Sequence, residues 1–448
     1  MKRYDAIVIG ATVNGLVAAA LLAKGGARVL LLEERAAPPQ PQGPLFALDP
    51  VMVRTLMLAR HGLGFRRRDL KLAVWDHGEP PLLLSRDSRA TARTLARISR
   101  ADAEAWGPFQ AQLLARARRL RRWWFRPRAG GTAEAIFFGR GARRRFRHDS
   151  LMGADAFLAR HFETPRLVSA LLHDALPGGL APSEPGSALA LVWRAAQQMA
   201  GLDGGVALAE PGALVGALKA ACSAELRFGT PITEILTARG AAGVHLADGE
   251  TIEARAVLST LTRTRTEALA GLVRPATASA VGAAQIRLTL AEGWALPPLL
   301  DEARAVLALL PEDYADAHEA ARAGRLPSPL PLSLVAEDPR TLVLTLPLAP
   351  VAPPGGWAGL QAPLAAAAIH SLRRHLPGLA GALTGAVVTP PRAQERASLA
   401  RLVAPALARA TTRVERLYLC GEEAEPVPCI SGRAGRFVAH FAAKALSS

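Results

Sequence analysis

The stretch YDAIVIGATVNGLVAAALLAKGGARVLLLEER, residues 4–35, decides the fold. Residues 4–9 are an apolar run of strand length, and Gly10-Ala11-Thr12-Val13-Asn14-Gly15 read as a tight turn. Residues 16–23 form an apolar helix that stops at Gly25-Gly26, and residues 28–32 form a second strand ending in Glu33. This is a complete βαβ unit. In such a unit glycines let the backbone approach a pyrophosphate, the helix N-terminus faces that anion, and a carboxylate after the second strand accepts ribose hydroxyls. Gly10 and Gly15 take the first and third glycine positions and Glu33 the ribose position, with Ala11 and Thr12 completing the turn. Glu33 repels an extra 2′-phosphate, so ADP-ribose is expected over NADP. Thr12 stands where the second glycine belongs, and its β-branch intrudes on the closest approach to a pyrophosphate. A Rossmann-like unit that no longer binds a dinucleotide is therefore the competing reading.

Outward from this unit, 448 residues suit two or three domains with a sizeable core, which excludes small disulfide- or metal-stapled scaffolds. Half the residues are hydrophobic and 21% charged, so the chain reads as globular and not disordered. Its 54 Lys and Arg against 38 Asp and Glu give +16, a charge that favours anionic partners without choosing among them. Cys222, Cys420 and Cys429 form no CxxC pair, so neither a zinc site nor a disulfide framework is expected and a reducing compartment fits. The N-terminus lacks the pattern of a signal peptide, and no apolar run reaches the roughly 18–20 residues of a membrane span. A soluble cytoplasmic protein is expected.

The opening stretch resembles that of phytoene-desaturase-like FAD-dependent oxidoreductases, in particular the branch of pyridine nucleotide-disulfide oxidoreductase domain-containing protein 2. Three later segments resemble the same branch in the same order: LDPVMVRTLMLARHGL (48–63), SLMGADAFLARHFETP (150–165) and RVERLYLCG (413–421). The resemblance implies an α/β protein with a Rossmann-like FAD-binding lobe of the GR2 type, built from residues 1–50, 205–265 and 396–448. An α+β substrate lobe would then comprise residues 51–204 and 266–395. It adds Ile232, Gly421 and Glu422 to the candidate cofactor residues, Ile232 as the residue whose backbone meets the adenine edge. The local patterns agree. Residues 232–235, 244–246 and 251–252, with a turn at Asp248-Gly249, read as short alternating strands followed by an apolar strand at 256–259. Residues 283–290, 331–336 and 341–346 read as longer strands suited to a sheet floor.

The chain departs from the family pattern at its C-terminal motif. Residues 421–435 read GEEAEPVPCISGRAG, which puts Val427, Pro428 and Cys429 where the family has three successive glycines, and Glu425 where it has a histidine. Val and Pro do not allow the close approach to a flat ring that three glycines allow, so the flavin-facing wall must have changed shape. Between Glu395 and Leu417, ARLVAPALARATTRVER replaces a longer glycine-rich insertion, and a GGMG-type turn appears as AEPGAL at 209–214. Cys429 reads as a small residue filling a vacated glycine position, with no base evident to activate its thiol. Cys222 and Cys420 read as core residues, and His61, His161 and His245 as structural or surface residues.

Between Arg116 and Arg147 two arginine clusters flank Trp123, Trp124 and Phe125. Phe109, Leu113, Ala117, Leu120 and Trp124 share one helical face and are expected to pack inward, with the arginines outward. This face is a candidate docking surface, either for an anionic membrane with the Trp pair at the interface or for an acidic protein. Nucleic acid is disfavoured, since no nucleic-acid-binding module is present. Two functions compete: an FAD-dependent oxidoreductase acting on an apolar or amine-like small molecule, and a flavin-free or weakly binding relative serving as a structural or regulatory subunit. No catalytic residue is nominated, because in flavin chemistry the cofactor carries the reaction.

Overall fold

The computed structural model describes residues 3–39, 48–67, 70–76, 78–125, 139–176, 178–199, 206–208, 212–237, 240–272, 279–392, 399–427 and 429–447. The opening unit is as its pattern requires: β1 (Arg3–Ile9), α1 (Val13–Lys24) and β2 (Val29–Glu33). Both faces of β1 are covered. Ala6 and Val8 pack toward α1, and Ile7 and Ile9 toward a second cluster on the opposite face. That double burial is why the strand is apolar throughout, without alternating polarity.

β1 and β2 belong to a seven-stranded sheet with β7 (Glu225–Phe228), β8 (Ile232–Leu236), β9 (Gly243–Leu246), β10 (Thr251–Ser259) and β16 (Leu417–Leu419). The order is β7-β2-β1-β10-β9-β8, with β16 pairing on β10. β7, β2, β1, β10 and β16 are parallel, and β8 and β9 add an antiparallel extension. The pieces expected at 251–252 and 256–259 are one nine-residue strand, because the inward alternation of Ile252, Ala254 and Ala256 runs unbroken through Glu253 and Arg255. The segment 50–63, beyond the boundary read from the sequence at residue 50, packs into the core of this sheet through Met52, Leu56 and Leu58.

The second seven-stranded sheet contains β4 (Lys71–Trp75), β5 (Leu82–Leu84), β11 (Val281–Leu290), β12 (Ala303–Leu307), β13 (Ser333–Asp338), β14 (Thr341–Pro350) and β15 (Leu383–Thr389). It runs β15-β11-β14-β13-β12-β4-β5 and is antiparallel except at β12-β4. The expected sheet floor is its centre. A two-stranded ribbon joins β3 (Phe65–Arg67) to β6 (Val206–Leu208). Helices α2 (Arg100–Phe125), α3 (Arg140–Ser150), α4 (Pro165–Ala175) and α5 (Ser187–Met199) pack beside this sheet. Helices α6 (Ala213–Ala220) and α7 (Arg433–Ser447) pack with α1.

Phe109, Leu113, Ala117, Leu120 and Trp124 on α2 are buried, as their spacing predicts. Trp123, read together with Trp124 as a pair at a membrane interface, is buried as well. Trp123 is 2% exposed and Trp124 1%, and their indole N–H groups donate to the carbonyls of Val403 (2.8 Å) and Leu402 (2.7 Å). These two carbonyls end the short helix Leu399–Val403, so the indoles satisfy terminal acceptors that a helix leaves open. Arg118, Arg119, Arg121 and Arg122 of α2 and Arg143, Arg144, Arg145 and Arg147 of α3 are exposed. Among the described residues no helix is long and apolar enough to cross a membrane.

Candidate functional site

The C-terminal ends of β1, β10 and β16 lie side by side, with Ile9 opposite Ser259 and Ser259 opposite Leu419. In a parallel sheet this edge is where ligands bind. The chain converges there on Thr260. A Cβ on Gly10, whose φ is +93°, would lie 2.1 Å from Thr260 Oγ1, and one on Gly421 2.6 Å from the Thr260 carbonyl oxygen. A Cβ on Gly15 would lie 2.0 Å from the Gly10 carbonyl oxygen. Gly10, Gly15 and Gly421 are thus brought together. Thr260 was not singled out in the sequence; its place directly after an apolar strand was the available signal.

Thr12 caps α1, its Oγ1 accepting from Gly15 N–H at 3.3 Å. Among the described residues, the N–H groups of Val13 and Asn14 in the first turn have no acceptor. These donors and the helix dipole form an anion-receptive end. Thr260 Oγ1 is likewise buried without a partner.

Glu33 stands at the end of β2 but is turned onto its own loop. One oxygen accepts from Ala11 N–H (2.7 Å) and the other from Arg35 N–H (3.1 Å), and the residue is 4% exposed. Thr230 N–H donates to the Glu33 carbonyl (2.9 Å), two residues before Ile232 opens β8. A ribose would have to exchange its hydroxyls for these backbone bonds.

The C-terminal turn is held by arginines that the sequence reading did not single out. Arg409 is buried and donates from Nε to the Ala424 carbonyl (2.9 Å), from Nη2 to the Trp124 carbonyl (2.7 Å) and from Nη1 to the Ala404 carbonyl. Arg401 donates to the carbonyls of Glu425 and Glu422. Glu425, at the family's histidine position, is sealed inside: it accepts from Ser431 Oγ (2.8 Å) and pairs with Arg433 (3.8 Å), which also donates to Gln197 Oε1 (2.9 Å). Val427 is 1% exposed in the core beside α2 and α5, and Cys429 packs on the same cluster. Burial pushes the Cys429 thiol well above its ordinary range and that of Cys420 up to about 12, away from the thiolate form. Cys222 is only half-buried. Pro428, Glu395 and Ala209 lie outside the described residues. Burial raises the Glu422 carboxyl above its ordinary range, with Arg392 at 3.9 Å opposing.

A cleft of about 290 Å³ opens where β4, β5 and β12 meet α2, α4 and α5. Trp106, Phe109, Leu113, Leu171 and Leu191 line it, with Asp174 and Arg304 among its polar groups. The neighbouring His173 is buried, and burial together with the Arg304 guanidinium lowers its imidazole to about 3. The folded imidazole therefore stays neutral while the unfolded one protonates near its ordinary value of about 6.5, so stability is full above that pH and is lost as pH falls toward 3. His173→Leu is expected to narrow this loss: in denaturant titrations its stability relative to wild type should gain about 2 kcal/mol between pH 7 and pH 5.

No family model matches the chain. Pyridine nucleotide-disulfide oxidoreductase domain-containing protein 2 of Mus musculus is 28% identical over an alignment of 316 residues, covering 57% of this chain and 53% of that protein. The chain thus spans about half the length of the curated relative it matches. Among solved structures, a putrescine oxidase redesigned in cofactor binding superposes with a TM-score of 0.66 at 14% identity, over the whole of both chains. Cyclohexylamine oxidase from Brevibacterium oxydans gives 0.61 at 16% identity, over 99% of this chain and all of the other. The chain has the fold of these oxidases. It is an α/β protein with a Rossmann-type lobe.

The residues fit a dinucleotide at its ADP end: Gly10 at positive φ, the open amides of Val13 and Asn14, the unpartnered Thr260 hydroxyl and Glu33 surround one strand edge. They depart from the family pattern at the ring end, where Val427 and Glu425 are packed into protein.

Proposed function

We propose that the chain is an FAD-dependent oxidoreductase, phytoene-desaturase-like by sequence resemblance, acting on an apolar or amine-like small molecule. The observation that carries this reading is the pair of open amides, Val13 and Asn14, at the edge of a parallel sheet with Gly10, Thr260 and Glu33 around them. The mouse relative and the fold shared with two amine-oxidising enzymes support it. The amides and Thr260 would hold the pyrophosphate, Glu33 the ribose, and Ile232 the adenine edge. Bound FAD would supply a hydride acceptor. The chain's own part is to bind substrate in the cleft walled by Trp106, Phe109 and Leu113.

A second reading, a flavin-free relative, is favoured by the engaged Glu33 carboxylate and the buried Val427. The visible spectrum of the purified protein, with FAD added to a parallel sample, separates the two. Stoichiometric flavin is expected; a colourless protein that takes up no added FAD would leave the second reading standing.

The arginine face formed by α2 and α3 is proposed to dock on an anionic surface, a membrane or an acidic protein, through charge alone, since its tryptophans are internal. Cosedimentation with phosphatidylserine vesicles should fall at least tenfold in the triple variant Arg118→Glu, Arg121→Glu, Arg122→Glu. Binding that ignores both salt and these charges would refute the membrane form of this reading.

A further inference from the structure

The cleft beside α2 is cationic at its polar end. Asp174 on α4 faces two guanidiniums: Arg304 of β12 is hydrogen-bonded to Oδ1, and Arg194 Nε lies 3.6 Å from Oδ2. Burial alone would raise the Asp174 carboxyl, but Arg304 and Arg194 outweigh it and hold it below the usual carboxylate range. One carboxylate thus stands against two arginines, with Lys71 and Arg86 also in the lining and Lys71 paired to Glu302. Arg304 spends only Nη2 on Asp174. Its Nε and Nη1 have no acceptor among the described residues, and neither is sealed from solvent. The opposite wall is apolar, with Trp106, Phe109 and Leu113 on α2 and Leu171 on α4.

We infer that this cleft binds an amphiphile with an apolar chain and a carboxylate head, the head taken by the remaining donors of Arg304. Nη1 keeps both of its N–H groups, so Arg304 can give a carboxylate head a charge-assisted hydrogen bond from Nη1 while it holds Asp174 through Nη2. An ammonium head meets the opposite field, because the one carboxylate among the described lining residues is already shared between two arginines. Of the substrate classes named above, the cleft therefore selects the apolar one and adds an acidic group to it. That this ligand is the substrate rests on the proposed oxidoreductase function; that it binds rests on the cleft alone.

The test is calorimetric titration of the full-length protein with decanoate, decylamine and decanol, each below its micelle concentration. Decanoate should bind at least tenfold more tightly than the other two. Arg304→Met should weaken decanoate tenfold or more and leave decanol within about twofold. Leu113→Trp, which fills the apolar wall, should weaken all three and serves as the decisive variant if Arg304→Met does not fold. Decylamine binding as tightly as decanoate, or decanoate binding unchanged by Leu113→Trp, would overturn the inference. None of these readouts needs flavin, so a colourless protein that binds decanoate would remove the proposed activity and keep the site. A yellow protein that ignores decanoate would do the reverse.

Discussion

Arg409→Met is expected to destabilise the protein by about 3–5 kcal/mol, measured as the midpoint shift of chemical denaturation at constant m-value. Arg409 donates to carbonyls on three segments that are distant in sequence: the end of α2 at Trp124, the loop at Ala404 and the C-terminal turn at Ala424. Burial lowers its guanidinium to about 9, which still leaves it charged at neutral pH. Methionine fills much of the volume but abandons three carbonyl acceptors, two of them buried, and a buried acceptor left without a partner costs about 1–3 kcal/mol. Arg409→Lys should recover less than half of the loss, because one ammonium cannot reproduce a planar fork spread over three carbonyls. A shift below about 1 kcal/mol for Arg409→Met would mean that the turn is held by other contacts.

Gly15→Ala is expected to cost about 3 kcal/mol and to abolish the proposed FAD binding in the same protein. The added methyl would lie 2.0 Å from the Gly10 carbonyl oxygen and 3.0 Å from Thr260 Cγ2. The first of these is backbone, so no rotamer change relieves it. α1 must move off the turn, and with it the open amides of Val13 and Asn14. Gly216 provides the control, as an exposed helical glycine on α6 whose Cβ would meet nothing within 4 Å. Gly216→Ala should stabilise by about 0.5–1 kcal/mol, the helix propensity difference alone. Equal effects at the two positions would show that close approach at Gly15 is not what requires glycine there.

Periodicity made the frame legible. The apolar run at 4–9, the helix at 16–23 and the strand ending in Glu33 lie within one βαβ unit, whose contacts are local enough for spacing to specify them. The inward stripe of α2 was legible for the same reason. The direction in which Trp123 faces was not, because it depends on the carbonyl of Val403, far away in the chain. An arginine-flanked Trp pair suggests a membrane interface until a remote helix end is found to need two donors.

Glu33 shows the same limit at the site. Its position at the strand end follows from the sequence, yet whether its carboxylate faces a ribose or its own loop is settled by the N–H groups of Ala11 and Arg35. The cleft lies further still from what the sequence could reveal, since Asp174, Arg194 and Arg304 come from two helices and a strand and carry no shared spacing. The sequence by itself determined the βαβ unit, the glycines at its turn and the break in the C-terminal glycine motif, all matters of local backbone geometry. Only the tertiary structure decided that three arginines lock the C-terminal turn, that Trp123 also faces inward and that the cleft is cationic. Each of these depends on which distant polar groups must be satisfied once buried, a constraint that arises when the chain packs.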